Sequence, residues 1–181
     1  IRNAWHFHYA LVLGIRVVCG GFRIALLTPS QGVSFLWENE MNQYLIEPEV
    51  PGSLGENTLA NFDLHPPTIE KLHFQFDGWL GDDLLTSFPC FLVSERLAMA
   101  LRSSQLSGYN LEVAEISISD IFEELYPECT LPRFSWFQVS GTIDKDDFSV
   151  TDTGLLLVSE RALVLLQKYQ LKNADVVEYE S

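Results

Sequence analysis

Basic side chains are scarce in this chain, and their scarcity limits its partners. The 181 residues include 11 Lys and Arg against 25 Asp and Glu, which gives a formal net charge of −14. Nucleic acid is an unsuitable partner, because its binding rests on Lys and Arg that neutralise phosphates. An anionic membrane surface is disfavoured for the same reason. A basic protein partner, or solubility alone, fits the charge better.

Cysteine is also scarce, with three residues and no C-x-x-C spacing. Cys19, Cys90 and Cys129 therefore predict neither a disulfide framework nor a metal site. Free thiols are typical of a reducing compartment, so we expect a cytoplasmic protein. Cys90 lies within the apolar run 89–93, which predicts a buried thiol rather than a reactive one.

Long uninterrupted hydrophobic runs are missing. The most apolar stretch, 9–27, contains Arg16 and Arg23, each of which would cost about 2.5–3.5 kcal/mol at a bilayer centre. Its longest uninterrupted part, 9–15, is far shorter than the roughly 20 residues that a transmembrane helix needs. No small-residue cleavage site of a signal peptide follows it. The sequence therefore predicts no membrane partner.

Residues 1–40 differ in charge from the rest of the chain. They contain three arginines and two acids, whereas 41–181 contain eight basic and 23 acidic residues. The codons for 37–40 form a purine-rich run beginning TGGGA just ahead of the Met41 codon, which resembles a bacterial ribosome-binding site. We therefore predict that 1–40 is a non-native upstream segment read in frame, with the natural start at Met41 and a single acidic domain over 41–181. The alternative is a genuine extra segment with its own strand.

Recognisable catalytic motifs are missing as well. There is no G-x-S-x-G elbow, and the loop 52–55 lacks the Lys-Ser/Thr ending of a P-loop. His65 and His73 are the only histidines after Met41, neither has a partner at zinc spacing, and His73 is expected on the polar side of a strand. A Ser–His–Asp assembly stays open, because its members meet in space rather than in sequence. We predict no catalytic residues and no cofactor, and enzymatic activity is the less favoured alternative.

A repeated segment is the clearest positive feature. Phe-Leu-Val-Ser-Glu-Arg at 91–96 recurs as Leu-Leu-Val-Ser-Glu-Arg at 156–161, an offset of 65 residues. In each copy an apolar strand precedes a helix that Ser94 or Ser159 can cap.

Both copies continue alike. Gly108 and Asn173 are equivalent by the same offset, and both residue types tolerate the left-handed conformation that ends helices. A further strand is expected after each, at about 110–116 and 175–179. We therefore predict an α+β fold, a single compact domain with a mixed sheet and a duplicated strand–helix–strand unit.

The densest acidic cluster surrounds a tryptophan. Asp77, Asp82 and Asp83 flank Trp79, and their carboxylates could form a metal site or an acid/base pair. The favoured interpretation is structural: Asp77-Gly78 makes a turn and Asp82 caps a short helix.

Aromatic residues next to polar ones suggest an interface. Trp79, Trp136 and Phe137 lie in segments flanked by polar or acidic side chains, an arrangement that is common at protein interfaces. Packing of the same rings in a core is the favoured interpretation, and an interface is the alternative. If they are exposed, we expect Trp79, Asp82, Asp83 and Trp136 to contact a partner.

A set of short segments carries a family resemblance. They are Glu-Pro-Glu-Val-Pro-Gly (47–52), Leu-Gly-Glu-Asn-Thr (54–58), His-Pro-Pro (65–67), Phe-Asp-Gly-Trp-Leu-Gly-Asp-Asp-Leu-Leu (76–85), Phe-Pro-Cys-Phe-Leu-Val (88–93), Asp-Asp-Phe (146–148) and Leu-Val-Ser-Glu-Arg-Ala-Leu (157–163). In this order they resemble a family of small uncharacterised bacterial proteins, which is similar to the immunity proteins of polymorphic, contact-dependent toxin systems. The resemblance covers 41–181 and implies a cytosolic, non-catalytic binding protein that neutralises a basic toxin or another protein partner.

Two alternatives to an immunity-like protein stay open. One is a metal-dependent enzyme or metal-binding module that uses Asp77, Asp82 and Asp83. The other is a structural oligomer without a site.

Overall fold

The computed structural model describes residues 42–63 and 67–179, which form a mixed α/β fold made mostly of strands with few helices. The predicted upstream segment 1–40, the predicted start Met41 and His65 lie outside the described residues. The strands, in chain order, are β1 (Gln43–Glu47), β2 (Gly52–Leu54), β3 (Leu59–Asn61), β4 (Thr68–Lys71), β5 (His73–Phe76), β6 (Leu84–Ser87), β7 (Cys90–Ser94), β8 (Tyr109–Val113), β9 (Glu115–Ile118), β10 (Phe134–Val139), β11 (Phe148–Val150), β12 (Leu156–Ser159) and β13 (Asp175–Tyr179). The helices are α1 (Glu95–Ser103), α2 (Asp120–Leu125) and α3 (Glu160–Leu166).

Two four-stranded antiparallel sheets carry most of the strands. One has the order β11–β12–β1–β13, with Gln43 of β1 opposite Ser159 on one side and Tyr179 on the other. The other has the order β6–β7–β10–β8, with Trp136 of β10 opposite Leu92 and Glu112. In the first sheet the β11–β12 hairpin leads into α3, and β13, which follows α3, pairs with the other edge of β1. In the second sheet the β6–β7 hairpin leads into α1, and β8, which follows α1, pairs with the other edge of β10.

The third sheet determines where the acidic loop and α2 begin. In the order β2–β5–β9, strand β5 is antiparallel to β2 and parallel to β9, with Phe76 opposite Ile118. Because parallel strands end at the same sheet edge, the chain leaves β5 at Asp77 and leaves β9 at Ser119 side by side. A hydrogen bond of 2.9 Å from the Ser119 N–H to the Phe76 carbonyl joins the two exits. The short β3–β4 pair forms a separate two-stranded ladder.

Two hydrophobic cores lie on opposite faces of β7. Its five residues are all buried, as expected for a strand that is covered on both faces. Phe91 and Val93 belong to the first core, which also receives α1, α3 and the inner face of the β1 sheet. Cys90 and Leu92 belong to the second core, which β5, β10 and α2 complete.

Serine caps begin the helices as the repeated segment predicts. The Ser94 hydroxyl accepts the Leu97 N–H at 3.4 Å, and the Ser159 hydroxyl accepts the Ala162 N–H at 3.2 Å. Each helix also has a glutamate in its first turn, where the positive end of the helix dipole favours it. Both capping predictions are confirmed.

The predicted helix ends are wrong. Helix α1 ends at Ser103 and α3 at Leu166, so both stop before Gly108 and Asn173. Gly108 has a φ of +88°, but the reason is a close approach: a Cβ there would lie 2.1 Å from the Phe148 carbonyl oxygen. Glycine is therefore required at this position for tertiary packing rather than for ending a helix.

Candidate protein-binding site around Trp79

A buried glutamate fixes the loop that carries Trp79. The Glu49 carboxylate accepts the Leu80 N–H at 2.6 Å and the Asp82 N–H at 3.3 Å. The Trp79 indole N–H donates to the Asp82 carbonyl at 3.0 Å, and its ring packs edge-on against Phe134 at 5.9 Å between centroids. The Trp79 side chain is therefore held in one position while part of it stays exposed.

Burial raises the pKa of Glu49 above its ordinary value of 4.5. The two backbone N–H groups oppose this shift, and the nearby Asp82 carboxylate adds to it. Sequence reasoning missed Glu49, because an acid between Pro48 and Pro51 has the composition of an exposed loop. Only the fold brings it against a turn some 30 positions away in the chain.

Asp82 is buried and binds the chain that follows α3. Its carboxylate accepts the Lys172 N–H at 2.9 Å, the Asn173 N–H at 2.8 Å and the Asn173 side-chain amide at 3.1 Å. With 1% of its surface exposed, Asp82 has no oxygen directed to the surface. The structure thus gives it an internal cross-linking position, and the predicted helix cap at Asp82 is absent from the described elements.

Asp83 is also 1% exposed and lies beneath the N-terminus of α1. Its carboxylate accepts the Ser94 hydroxyl, the Arg96 Nε–H at 2.5 Å and the Gln170 N–H at 2.8 Å. The Asp83 N–H returns a bond of 2.8 Å to the Gln170 carbonyl. Asp83 therefore joins the cap of α1 to the segment after α3.

Asp147 makes the matching contacts at α3. Its carboxylate accepts the Ser159 hydroxyl at 2.6 Å and the Ser107 N–H at 3.0 Å, and Arg161 Nη1 lies 3.9 Å away. Ser107 follows α1, so Asp147 and Asp83 join the two helical units reciprocally. Sequence reasoning missed Asp147, although it lies 64 positions after Asp83, close to the repeat offset.

The acidic cluster does not converge on a common point. Asp77 is exposed, whereas the oxygens of Asp82 and Asp83 are directed to different groups of donors inside the fold. Within 42–63 and 67–179, no group of three or more His, Cys, Asp or Glu side chains could hold a metal ion. The geometry does not favour the metal-site alternative for this cluster.

An open cleft of about 420 Å³ lies between Trp79 and the first turns of α1. Its apolar walls are Trp79, Met99 and Pro132, and its polar side is formed by Glu95, Arg96 and the buried Asp83 and Ser94. Hydrogen bonding to Asp83 raises the pKa of Arg96 further, so the guanidinium stays charged. The cleft can accept an apolar side chain of a partner beside a fixed, paired cation.

Trp136 is not available as a surface anchor. It is 8% exposed, and Phe137 beside it is buried too, so the core-packing interpretation describes these rings. Trp136 lines a different, smaller groove of about 240 Å³ together with Cys90. Burial raises the pKa of the Cys90 thiol to about 12, which agrees with the expected unreactive thiol. The structure thus brings Trp79 and Asp83 to one cleft and separates Trp136 from it.

His73 and Ser117 come together in a pair that cannot activate a nucleophile. His73 Nε2 lies 2.8 Å from the Ser117 hydroxyl, and His73 Nδ1 accepts the Asn57 N–H at 3.1 Å. Because Nδ1 is an acceptor, the ring proton of the neutral imidazole is on Nε2, which donates to the serine. A general base needs the opposite polarity. The sequence predicts His73 on the polar side of a strand; His73 does lie in a strand, β5, among polar partners, but it is buried there.

Comparisons with protein-family models, with curated proteins and with solved structures gave no match. Among the described residues, no helix has the length and apolar character to cross a membrane.

Proposed function

We propose that this chain is a bacterial cytosolic binding protein without catalytic activity, of the immunity type, which neutralises a basic toxin or another cationic protein partner. The observation that carries the proposal is a surface whose negative charge is left largely uncompensated. The family resemblance read from the sequence points in the same direction.

Uncompensated charge is apparent from the ion pairs. Of the described acids only Glu49, Asp82, Asp83 and Asp147 are buried, whereas every described lysine and arginine is exposed. Among residues 42–63 and 67–179 four ion pairs form, and two of them go to the buried Asp83 and Asp147. Most surface carboxylates therefore lack a cation, and such a field speeds the approach of a basic protein.

The Trp79 cleft supplies the contact in this proposal. A rigidly held, partly exposed aromatic side chain beside an apolar recess, as at Trp79, is typical of the residues that dominate binding energy. Asp82 and Asp83 act here as supports: they hold the loop and the helix that form the cleft, and Trp79 with Met99 makes the contact.

The same proposal includes an internal duplication of the fold. Supporting it are the shared sheet orders, the serine caps at Ser94 and Ser159, and the reciprocal Asp83 and Asp147 contacts. In this interpretation one copy carries the cleft. In the other copy the residue equivalent to Met99, by the same offset of 65 residues, is Val164, which does not line the cleft.

The experiment uses Met99→Ser and the matched control Val164→Ser. The two side chains occupy equivalent helical positions and are 56% and 53% exposed, so neither change should unfold the protein. The proposal expects a toxin gene next to the gene of this chain, and its purified product is the probe; absence of such a gene would count against the proposal. Titration calorimetry should give an affinity that weakens steeply with salt, with at least about tenfold loss for Met99→Ser.

Two further results would count against the proposal. Equal affinities for the two variants would remove the cleft from the contact. Failure of the wild-type protein to bind the neighbouring toxin at low salt, or to restore growth of cells that express it, would remove the neutralising function itself.

A further inference from the structure

We infer that the outer side of α2 is a docking surface for a basic, amphipathic helical segment of the partner. The inference rests on the proposed function, because it names the part of a cationic partner that the surface recognises. It uses residues outside the Trp79 cleft.

Helix α2 presents two large apolar side chains to solvent. Ile121 and Leu125 are 56% and 65% exposed, and a spacing of four residues puts them on one side of the helix. Phe122 alone is buried, in the second core, where its ring contacts Tyr126 at 5.4 Å between centroids. The helix is therefore anchored through Phe122 and leaves Ile121 and Leu125 uncovered.

Acidic residues flank this apolar pair in a segment of the chain that has no lysine or arginine. The chain contains no lysine or arginine between Arg102 and Arg133. Exposed acids on and after the helix are Asp120, Glu123, Glu124 and Glu128. Asp77 adds a further exposed carboxylate beside the start of α2, because β5 and β9 end side by side.

The negative charge around Ile121 and Leu125 determines which kind of partner segment fits this surface. A second copy of this chain would bring one acidic surface against another, and like charges facing each other oppose docking. A neutral apolar segment would cover Ile121 and Leu125 but leave the surrounding carboxylates without partners. A helix with an apolar stripe flanked by Lys or Arg satisfies both parts of the surface.

The experiment is an amide chemical-shift titration of the full chain with a synthetic amphipathic helix of Leu and Lys. A second peptide, in which Ser replaces Leu, keeps the charge and removes the apolar stripe. The protein variants are Ile121→Ser/Leu125→Ser and, as a helical control of similar exposure, Val164→Ser.

The expected shifts cluster at 118–128 with the Leu/Lys peptide and are weak with the Ser/Lys peptide. The double variant should bind the Leu/Lys peptide at least about tenfold more weakly, because it loses the two aliphatic side chains that the peptide would partly bury. Val164→Ser should bind it within about twofold of wild type. Shifts spread over all acidic segments, or equal binding by the double variant, would overturn the inference.

A parallel titration with the toxin separates this inference from the proposed function. If the toxin binds wild type and the double variant alike, the α2 surface is wrong while neutralisation stands. If the Leu/Lys peptide docks on α2 but the toxin does not bind at all, the surface assignment holds and the toxin-neutralising function is wrong.

Discussion

Replacing Asp83 by Asn should destabilise the fold although the side chain keeps its size. The carboxylate accepts three donors, from Ser94, Arg96 and Gln170. An amide retains one acceptor oxygen and turns an NH₂ group toward the remaining donors, so at least one internal donor loses its partner. Such a loss costs about 1–3 kcal/mol. The Arg96 side chain is more than half exposed, so its lost ion pair adds at most about 1 kcal/mol.

The expected change in the free energy of unfolding is therefore about 2–4 kcal/mol, measured by urea denaturation with an unchanged m-value. Asp147→Asn should cost somewhat less, because Arg161 is farther from its carboxylate, at 3.9 Å. Asp152→Asn is the surface control and should stay within about 0.5 kcal/mol of wild type. If Asp83→Asn is no less stable than Asp152→Asn, the reciprocal carboxylate contacts do not hold the two helical units together.

The remaining predictions concern a buried acid, the thiols and two glycines. Because the pKa of folded Glu49 is raised above its ordinary value of 4.5, its contribution to stability is present at lower pH and is lost as the pH rises through the pKa of the folded state. Glu49→Gln should flatten this part of the pH–stability curve, and an unchanged slope in urea titrations would contradict the assignment. A thiol reagent should modify the exposed Cys129 and spare the buried Cys90 in the native protein, as read by mass spectrometry; equal labelling would refute the burial. Gly108→Ala meets a β11 carbonyl and should cost more than about 2 kcal/mol in the free energy of unfolding, whereas Gly81→Ala has a φ of +109° but open space around it and should cost about 1–2 kcal/mol.

Local chemistry made the helix starts predictable from sequence. A serine at the end of an apolar strand has its capping partner three residues ahead, so Ser94 and Ser159 could be identified without a fold. The ends of the same helices depend on which tertiary contacts the following loop makes. Gly108 illustrates this, because its conformation is set by β11, some 40 residues downstream.

Whether the predicted contact residues are buried or exposed depends on distant parts of the chain. The backbone N–H groups that bind the Asp82 carboxylate belong to Lys172 and Asn173, about 90 positions away. No local sequence pattern predicts this contact. Trp136 has polar neighbours in sequence, but β10 lies between two cores, so the strand is buried on both faces. Trp79 packs against the second core with part of its ring exposed, which lies between the two alternatives for these aromatic residues. The α2 surface was missed because Asp120-Ile121-Phe122-Glu123-Glu124-Leu125 is predicted as a short helix in which any of the apolar residues could face inward.

The position of β1 has a consequence for how the protein is made. This strand is among the first described segments to leave the ribosome, yet its two neighbours, β12 and β13, span Leu156–Ser159 and Asp175–Tyr179. The sheet therefore assembles only after β12 and β13 have also been synthesised, and until then β1 has open edges that could pair with other chains. Deletion of Asp175–Tyr179 would leave β1 with an unpaired edge in the folded protein.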